Sequence, residues 1–230
     1  MRRFLRHNGL SLAFGALFAL ALGFQALAGW HEFNNDEVAH AQLAHEQPRE
    51  ISFGRYLTSS HFGRAVTENW QSEYLQFSLF ILATIWLVQR GSPESKPLDR
   101  AGPESDQRQQ VGRHAGSRSP LWARVGGLRT FVYSNSLLIV MLAIFLGSWF
   151  AQSVTGWTEF NAEQVDHDQA RLSWLAYVGS ASFWETTLQN WQSEFLAVGS
   201  MAILTVYLRQ RGSPESKPVG APHETTGAEG

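Results

Sequence analysis

The sequence contains no cysteine, which excludes disulfide bonds, iron–sulfur clusters and thiolate metal sites. It also has no strong excess of charge, since the formal net charge is -2, and this balance does not point to a nucleic-acid partner. The sequence patterns of nucleotide-binding loops and of common hydrolase sites are missing as well. These absences leave no recognisable catalytic motif, so the chain is not predicted to be an enzyme.

Charged residues are missing from four stretches, at residues 10–28, 74–88, 136–154 and 195–208. An α-helix needs about 20 mainly apolar residues to cross a bilayer, where its backbone polar groups must bond to one another. The first and third stretches reach this length alone, and the others reach it together with the Trp-Gln-Ser-Glu residues that precede them. The sequence therefore predicts an all-α membrane protein with four transmembrane helices, at residues of about 9–29, 70–89, 135–155 and 191–209. None of these spans contains histidine, so a haem held by paired histidines inside the membrane is not expected.

The chain consists of two tandem copies of one unit. Residues 89–97, Gln-Arg-Gly-Ser-Pro-Glu-Ser-Lys-Pro, recur unchanged at 210–218, and the Asn-Trp-Gln-Ser-Glu block that begins at Asn69 recurs at Asn190. These blocks keep their order and their position beside the apolar stretches, so each copy is predicted to be a helix, an outer loop and a second helix. Because each copy crosses the membrane twice, the two copies form a parallel tandem repeat.

The repeats divide the chain into four parts. In order, they are a first two-helix repeat, a linker, a second two-helix repeat and a tail, at residues 1–97, 98–130, 131–218 and 219–230. The outer loops are predicted at 30–69 and 156–190. The linker, to about residue 119, and the tail are predicted to be disordered, because they hold too few apolar residues to offset the loss of chain entropy.

The distribution of Lys and Arg predicts the sidedness. Three arginines precede the first span, and eight basic residues lie from Arg90 to Arg129, whereas the outer loops hold only four. Because basic residues are enriched on the cytoplasmic side of membranes, both termini and the linker are predicted to be cytoplasmic.

The two-copy pattern also carries a resemblance. Gly-Trp-x-Glu-Phe-Asn begins at Gly29 and Gly156, and the pattern continues in both copies with the Asn-Trp-Gln-Ser-Glu and Gln-Arg-Gly-Ser-Pro-Glu-Ser-Lys-Pro blocks. This pattern resembles that of a family of small bacterial four-helix integral membrane proteins of unknown function. The resemblance implies a multi-pass protein of the bacterial inner membrane, with the lipid bilayer as its surroundings, and it transfers no activity.

Two glutamates, Glu73 and Glu194, occupy equivalent positions near the outer ends of the second and fourth spans. A carboxylate at that depth is a candidate for binding a cation or relaying a proton. The alternative is a carboxylate that faces water or bonds to a neighbouring helix. Ser182 and Glu185 fit a capping box, which predicts that the fourth helix begins there and runs on through Glu194.

Two amides, Gln25 and Gln152, correspond near the outer ends of the first and third spans. Hydrogen bonds between helices are the usual role of such amides in a membrane. Lining a polar passage together with the glutamates is the alternative.

Each outer loop contains an acid and a histidine four residues apart, and the pairs are Asp36 with His40 and Glu163 with His167. On a helix, each pair would share a face, and carboxylate with imidazole can bind zinc or iron. Two pairs that met would supply four ligands for a metal on the outer face. The alternative is an exposed helix with local ion pairs, and no other cofactor is evident.

Four tryptophans recur near the outer ends of the predicted spans, at Trp30, Trp70, Trp157 and Trp191. Tryptophan is enriched at membrane interfaces, so these residues are predicted to form an outer aromatic belt. At the inner ends, the repeated Gly-Ser-Pro-Glu-Ser-Lys-Pro turns fit a helix stop. A contact with the other copy, or with a partner, is the alternative.

These observations leave three hypotheses for the function. The first is a non-enzymatic scaffold, interaction or sensing protein of the membrane, as a homo-oligomer or with a membrane-protein partner. The second is a small cation or proton-coupled transporter or channel component that uses Glu73 and Glu194. The third is a metal-dependent activity on the outer face.

Overall fold

A computed structural model describes residues 2–45 and 47–227 of the chain. The described residues form helices and turns and contain no strand. In chain order, the α-helices are α1 (Arg2–His7), α2 (Gly9–Ala44), α3 (Phe53–Tyr56), α4 (Ser60–Ala83), α5 (Leu121–Arg124), α6 (Gly127–Ser134), α7 (Ser136–Asp166), α8 (Trp174–Val178) and α9 (Ala181–Tyr207). The predicted all-α class is therefore confirmed for the described part of the chain.

Two of these helices are long and apolar enough to cross a membrane, judged by length and composition. They are α2, over Gly9–Leu43, with a mean hydropathy of 2.0 for its most apolar window, and α7, with 2.1. Among the described residues, α4 and α9 do not meet the same criterion. The physical reason is that their first halves are polar and that α4 ends at Ala83, so only the second half of each helix is strongly apolar.

The helices extend well into the segments predicted as outer loops. Helix α2 continues to Ala44 and α4 already begins at Ser60, while α7 continues to Asp166. These extensions contain Glu, Gln and Ala residues, which favour helix. They form helix even where no apolar face indicates one. Polarity alone therefore predicted a loop where the chain forms the exposed ends of long helices.

Serine caps fix where the second helix of each copy begins. The Ser180 hydroxyl accepts a hydrogen bond from the Phe183 backbone N–H at 3.3 Å, and α9 starts directly after it. The predicted capping box at Ser182 is therefore wrong by two residues. Ser59 has the same role before α4, where its hydroxyl accepts from the Phe62 N–H at 3.2 Å.

The linker contains little regular structure. Short 3₁₀ helices lie at Leu98–Arg100 and Gly112–His114, and no α-helix begins before Leu121 among the described residues that follow Ala83. Disorder to about residue 119 stays a prediction. The last three residues of the predicted tail, 228–230, lie outside the described residues.

The chain divides into two compact units. The first comprises the residues up to Val66 together with Thr155–Arg171, and the second comprises Thr67–Val154 together with the residues from Leu172 onward. The divisions fall inside α4 and α7, so the units do not follow the boundaries of the sequence repeats.

Candidate functional sites

The first unit contains a cluster of ionisable side chains. Tyr56 is almost completely buried, with 2% of its surface exposed, and its hydroxyl lies 3.3 Å from Nδ1 of His61. Nε2 of His61 lies 3.9 Å from Oε1 of Glu159, and Nη1 of Arg64 donates to Oε2 of Glu159 at 3.0 Å. Tyr56 and His61 are thus within hydrogen-bond distance, whereas His61 and Glu159 are separated by an ion-pair distance, and Arg64 compensates the carboxylate.

Packing holds Tyr56 in this position. The Ser52 hydroxyl caps α3 at the Arg55 N–H, and the Tyr56 hydroxyl packs so closely against Gly29 that position 29 has no room for a side chain. Burial, followed by the negative charge of Glu159, raises the pKa of the Tyr56 hydroxyl above its ordinary value. Tyr56 therefore remains a neutral hydrogen-bonding group at physiological pH.

The Gly-Trp-x-Glu-Phe-Asn motif of the first copy anchors the loop that follows α2. The Trp30 indole N–H donates to the Ile51 carbonyl at 2.7 Å, and Asn34 both accepts from the Ile51 N–H at 2.8 Å and donates to its carbonyl at 3.1 Å. Trp30 and Asn34 thus have a structural role. The predicted placement of Trp30 and the other three tryptophans at a membrane interface stays a prediction.

The acid–histidine pairs are exposed on the ends of α2 and α7. Asp36, His40, Glu163 and His167 all face solvent, and Nδ1 of His167 lies 2.8 Å from the backbone carbonyl of Glu163. Within residues 2–45 and 47–227, no three His, Cys, Asp or Glu side chains come together as metal ligands. A metal on the outer face stays a prediction.

The second unit brings α4 and α9 together near their polar ends. Gln71 is completely buried, and its Oε1 accepts a hydrogen bond of 2.7 Å from the Trp191 indole N–H. Next to this contact, the negative charges of Glu73 and Glu194 repel each other. The two glutamates predicted from the repeat therefore interact electrostatically.

The two corresponding amides have different surroundings. Gln25 on α2 is exposed, whereas Gln152 on α7 is 2% exposed. The sequence correspondence between them does not extend to their burial. Their role in ion binding stays a prediction.

The repeated nine-residue turns have the same hydrogen bonds in both copies. The Ser95 hydroxyl accepts from the Gln89 N–H at 2.9 Å, and the Ser216 hydroxyl accepts from the Gln210 N–H at 2.9 Å. One further bond of each turn joins the glutamate N–H to the preceding serine hydroxyl, at 3.3 Å in the first copy and 3.2 Å in the second. These matched bonds give a physical reason for the identity of the two sequences.

The glycine of each turn adopts a left-handed conformation, with a φ of 89° at Gly91 and 82° at Gly212. The preceding helices end earlier, at Ala83 and Tyr207. The interpretation of these glycines as helix stops is therefore wrong, because several residues lie between the end of each helix and the glycine of the turn that follows it.

The two turns meet through their glutamates. A hydrogen bond to Glu215, followed by burial and by repulsion from the same group, raises the pKa of the Glu94 carboxyl from its ordinary value of 4.5 to about 7. This contact agrees with the alternative in which the turns contact the other copy. Two carboxyl groups can form such a hydrogen bond only when they share a proton.

A groove of about 380 Å³ runs between α4 and α9 to this carboxyl pair. The groove is lined by Gln76, Phe77, Phe80, Glu94, Ala197, Val198, Met201 and Glu215. Among the described residues, no basic side chain lines it, and Oε1 of Gln76 is buried with no hydrogen-bond partner. Glu73 and Glu194 precede the lining residues by one helical turn, so acidic residues lie near both ends of the groove.

Sequence reasoning missed several residues of these sites. Tyr56 and Tyr177 are both buried and stand at the same distance before the Asn-Trp-Gln-Ser-Glu block of their copy. The capping serines, Ser59 and Ser180, recur at a fixed spacing as well. Aligning the two copies through their outer loops would have found these positions, whereas the pairing of His61 with Glu159 has no counterpart in the other copy.

The fold and these sites define an all-α protein with two helices that are suited to cross a membrane. The chain belongs to the family described as Domain of unknown function (DUF6766), which matches residues 1–228. No curated protein and no solved structure matches the chain. Membership of a family of unknown function agrees with the resemblance carried by the repeated motifs.

Proposed function

We propose that this protein is a multi-pass membrane protein that binds and passes protons or small cations along the groove between α4 and α9. The observation that carries the proposal is the placement of acidic residues near both ends of one mainly apolar groove that has no basic lining residue in the described part of the chain. Two ionised carboxylates of a pair repel each other, and a proton or a small cation can relieve this repulsion.

The proposal includes four spans, because it adds α4 and α9 to the two helices, α2 and α7, that are long and apolar enough to cross a membrane. Helices that line a passage carry polar residues on one face, which lowers their mean hydropathy below that of helices surrounded by lipid. The distribution of Lys and Arg favours a cytoplasmic position for both termini, so Glu94 and Glu215 belong to the cytoplasmic end. The location we propose is the bacterial inner membrane.

The chemistry at the two ends differs. Glu73 and Glu194 lie beside the Trp191–Gln71 contact, and their negative charges repel each other. A cation or proton that binds here relieves the repulsion between the two carboxylates. At the other end, the shared proton of the Glu94–Glu215 pair can be lost near neutral pH, and this loss leaves two negative charges able to hold a cation.

Flux in proteoliposomes tests the proposal. We expect the parent protein to dissipate an imposed pH or sodium gradient, and we expect the double variants Glu73→Gln with Glu194→Gln and Glu94→Gln with Glu215→Gln to lose most of this flux. Asp99→Asn is the matched control, because it removes an exposed carboxylate of the linker. Absence of flux in the parent protein, or unchanged flux in both double variants, contradicts the proposal.

A scaffold or interaction role is the second candidate. The observation that favours it is the exposure of α2, of whose most apolar window only 6% is buried, against 22% for α7. In a membrane, lipid, a second copy of the chain or a membrane-protein partner would cover this surface. The mass of the protein in lipid nanodiscs shows directly whether a second copy or a partner is bound. A monomer that co-purifies with no partner argues against the scaffold role.

A further inference from the structure

The residues that follow the second turn fold back over it. The Lys217 side chain is 1% exposed, and its ammonium donates hydrogen bonds to the carbonyls of Pro222 at 3.3 Å, His223 at 2.7 Å and Thr225 at 3.2 Å. Three backbone acceptors around one buried ammonium compensate it for the loss of water. Residues 219–227, which we name the strap, are therefore attached to the second turn through Lys217.

The strap is also bonded to the turn of the first copy. The Gly91 N–H donates to the Thr226 hydroxyl at 2.9 Å, and the Gly227 N–H donates to the Ser92 carbonyl at 3.0 Å. Gly91 and Ser92 lie three and two positions before Glu94 in the first turn. The strap thus bridges two turns that are far apart in the sequence.

Further bonds join the strap to the end of α9. Nη2 of Arg209 donates to the Ala221 carbonyl at 3.1 Å, and Nδ1 of His223 lies 3.1 Å from the Val206 carbonyl. The Val206 carbonyl, which lies in the last turn of α9, also accepts from Nη1 of Arg209 at 3.1 Å, so Arg209 and His223 meet at this helix end. The path of the strap is therefore defined along its length.

The equivalent lysine of the first copy makes fewer contacts. Lys96 donates to the Gly102 carbonyl at 3.3 Å and lies 3.4 Å from the Glu104 carboxylate, with 31% of its side chain exposed. Both lysines thus bond to the carbonyl six residues onward, but only Lys217 is buried and bonded to a segment that reaches the other turn. The two turns are therefore identical in sequence but have different surroundings, because only the second turn is covered by the strap.

We propose that the strap closes the inner end of the α4–α9 groove by holding the two turns together, so that Glu94 stays against Glu215 until the strap is released. Release lets the turns separate, breaks the contact between the carboxyl groups and opens the groove. Apart from the bonds of the buried Lys217, the bonds of the strap are individually modest, so the strap can detach by local opening without global unfolding. The effect on flux rests on the proposed function, whereas the bridging of the turns does not.

Hydrogen exchange of the full-length protein in lipid nanodiscs, followed by mass spectrometry, tests the bridge. We expect Lys217→Met to speed exchange by at least about fivefold both in the strap and in residues 89–92 of the first turn, because the bonds across the two turns are lost together. Lys96→Met is the matched control and should speed exchange only around residues 96–104. Unchanged exchange of residues 89–92 in Lys217→Met overturns the proposal.

A second variant covers the case in which Lys217→Met does not fold. Thr226→Val keeps the shape of the side chain and removes the acceptor for the Gly91 N–H, together with a 3.3 Å bond to the Glu224 carbonyl inside the strap. We expect faster exchange at Gly91 and, in proteoliposomes, a severalfold higher flux than in the parent protein. Slow exchange at Gly91 in this variant contradicts the bridge, and faster exchange with unchanged flux contradicts the closing role. If no protein shows flux, the proposed function fails, and the exchange result still decides whether the strap bridges the turns.

Discussion

Alanine substitution of the two turn glycines separates the contribution of the strap from that of the turn itself. Gly91 and Gly212 have the same sequence context and nearly the same left-handed φ, so a side chain at either position costs about 1–2 kcal/mol of backbone strain. A Cβ at position 91 would also overlap the His223 carbonyl and lie 2.8 Å from Cγ1 of Val206, whereas a Cβ at 212 would meet no atom within 4 Å. Only Gly91→Ala therefore displaces the strap.

The overlap at position 91 sets the expected difference in stability between the two variants. Overpacking of this kind costs about 1–3 kcal/mol, so Gly91→Ala should be less stable than Gly212→Ala by this amount. For a chain of this size, 1 kcal/mol corresponds to a shift in Tm of about 3 °C, which gives a difference of roughly 3–9 °C between the two variants. Thermal unfolding in the same detergent measures it. Equal Tm values for the two variants would refute the reasoning, because they would mean that the strap does not rest on Gly91.

Three further predictions concern hydrogen bonds and pH. Trp191→Phe leaves the completely buried Gln71 side chain without its partner and should cost about 1–3 kcal/mol in the free energy of unfolding; a change within measurement error would contradict that burial. Tyr56→Phe removes the hydroxyl that bonds to His61 and should lower the free energy of unfolding by about 1 kcal/mol. An unchanged free energy of unfolding would mean that this bond is not formed. The pKa of Glu94 is raised in the folded protein to about 7. The contribution of this carboxyl group to the stability of the fold is therefore complete below a pH of about 4.5 and is lost as the pH rises through about 7. Tm should therefore fall over this range in the parent protein and less so in Glu94→Gln; parallel profiles would exclude the shared proton.

The sequence predicted the helical class and the matched positions, because apolar stretches and internal repeats are local signals. It placed Glu73 and Glu194 at equivalent sites, and in the structure their charges repel each other. It did not predict the start of α9, where Ser180 rather than Ser182 forms the cap, since both serines stand before the same apolar face. It also did not predict the polar helical ends of α2 and α7, which have no apolar periodicity.

The contacts across the chain were beyond the reach of sequence patterns. The pairing of Glu159 with Arg64 and His61 joins residues of different copies, and the counterparts of Arg64 and His61 in the alignment of the copies differ in type. The strap was predicted to be disordered from its composition, and its described part is bonded to residues that lie far away in the sequence. Long-range hydrogen bonds to backbone groups leave no trace in composition, because any residue offers the same N–H and carbonyl.

The length of α2 has a consequence for the electrostatic surroundings of its outer end. Its uncharged part, residues 10–28, is about long enough to cross the hydrocarbon core, and the remaining turns add about 24 Å of rigid helix beyond it. His40 would then stand about 18 Å above the end of that part, which is twice the screening distance of roughly 8 Å at physiological salt. In the proposed arrangement, the end of α2 thus projects beyond the lipid headgroups, and their charge has little influence on the surroundings of His40.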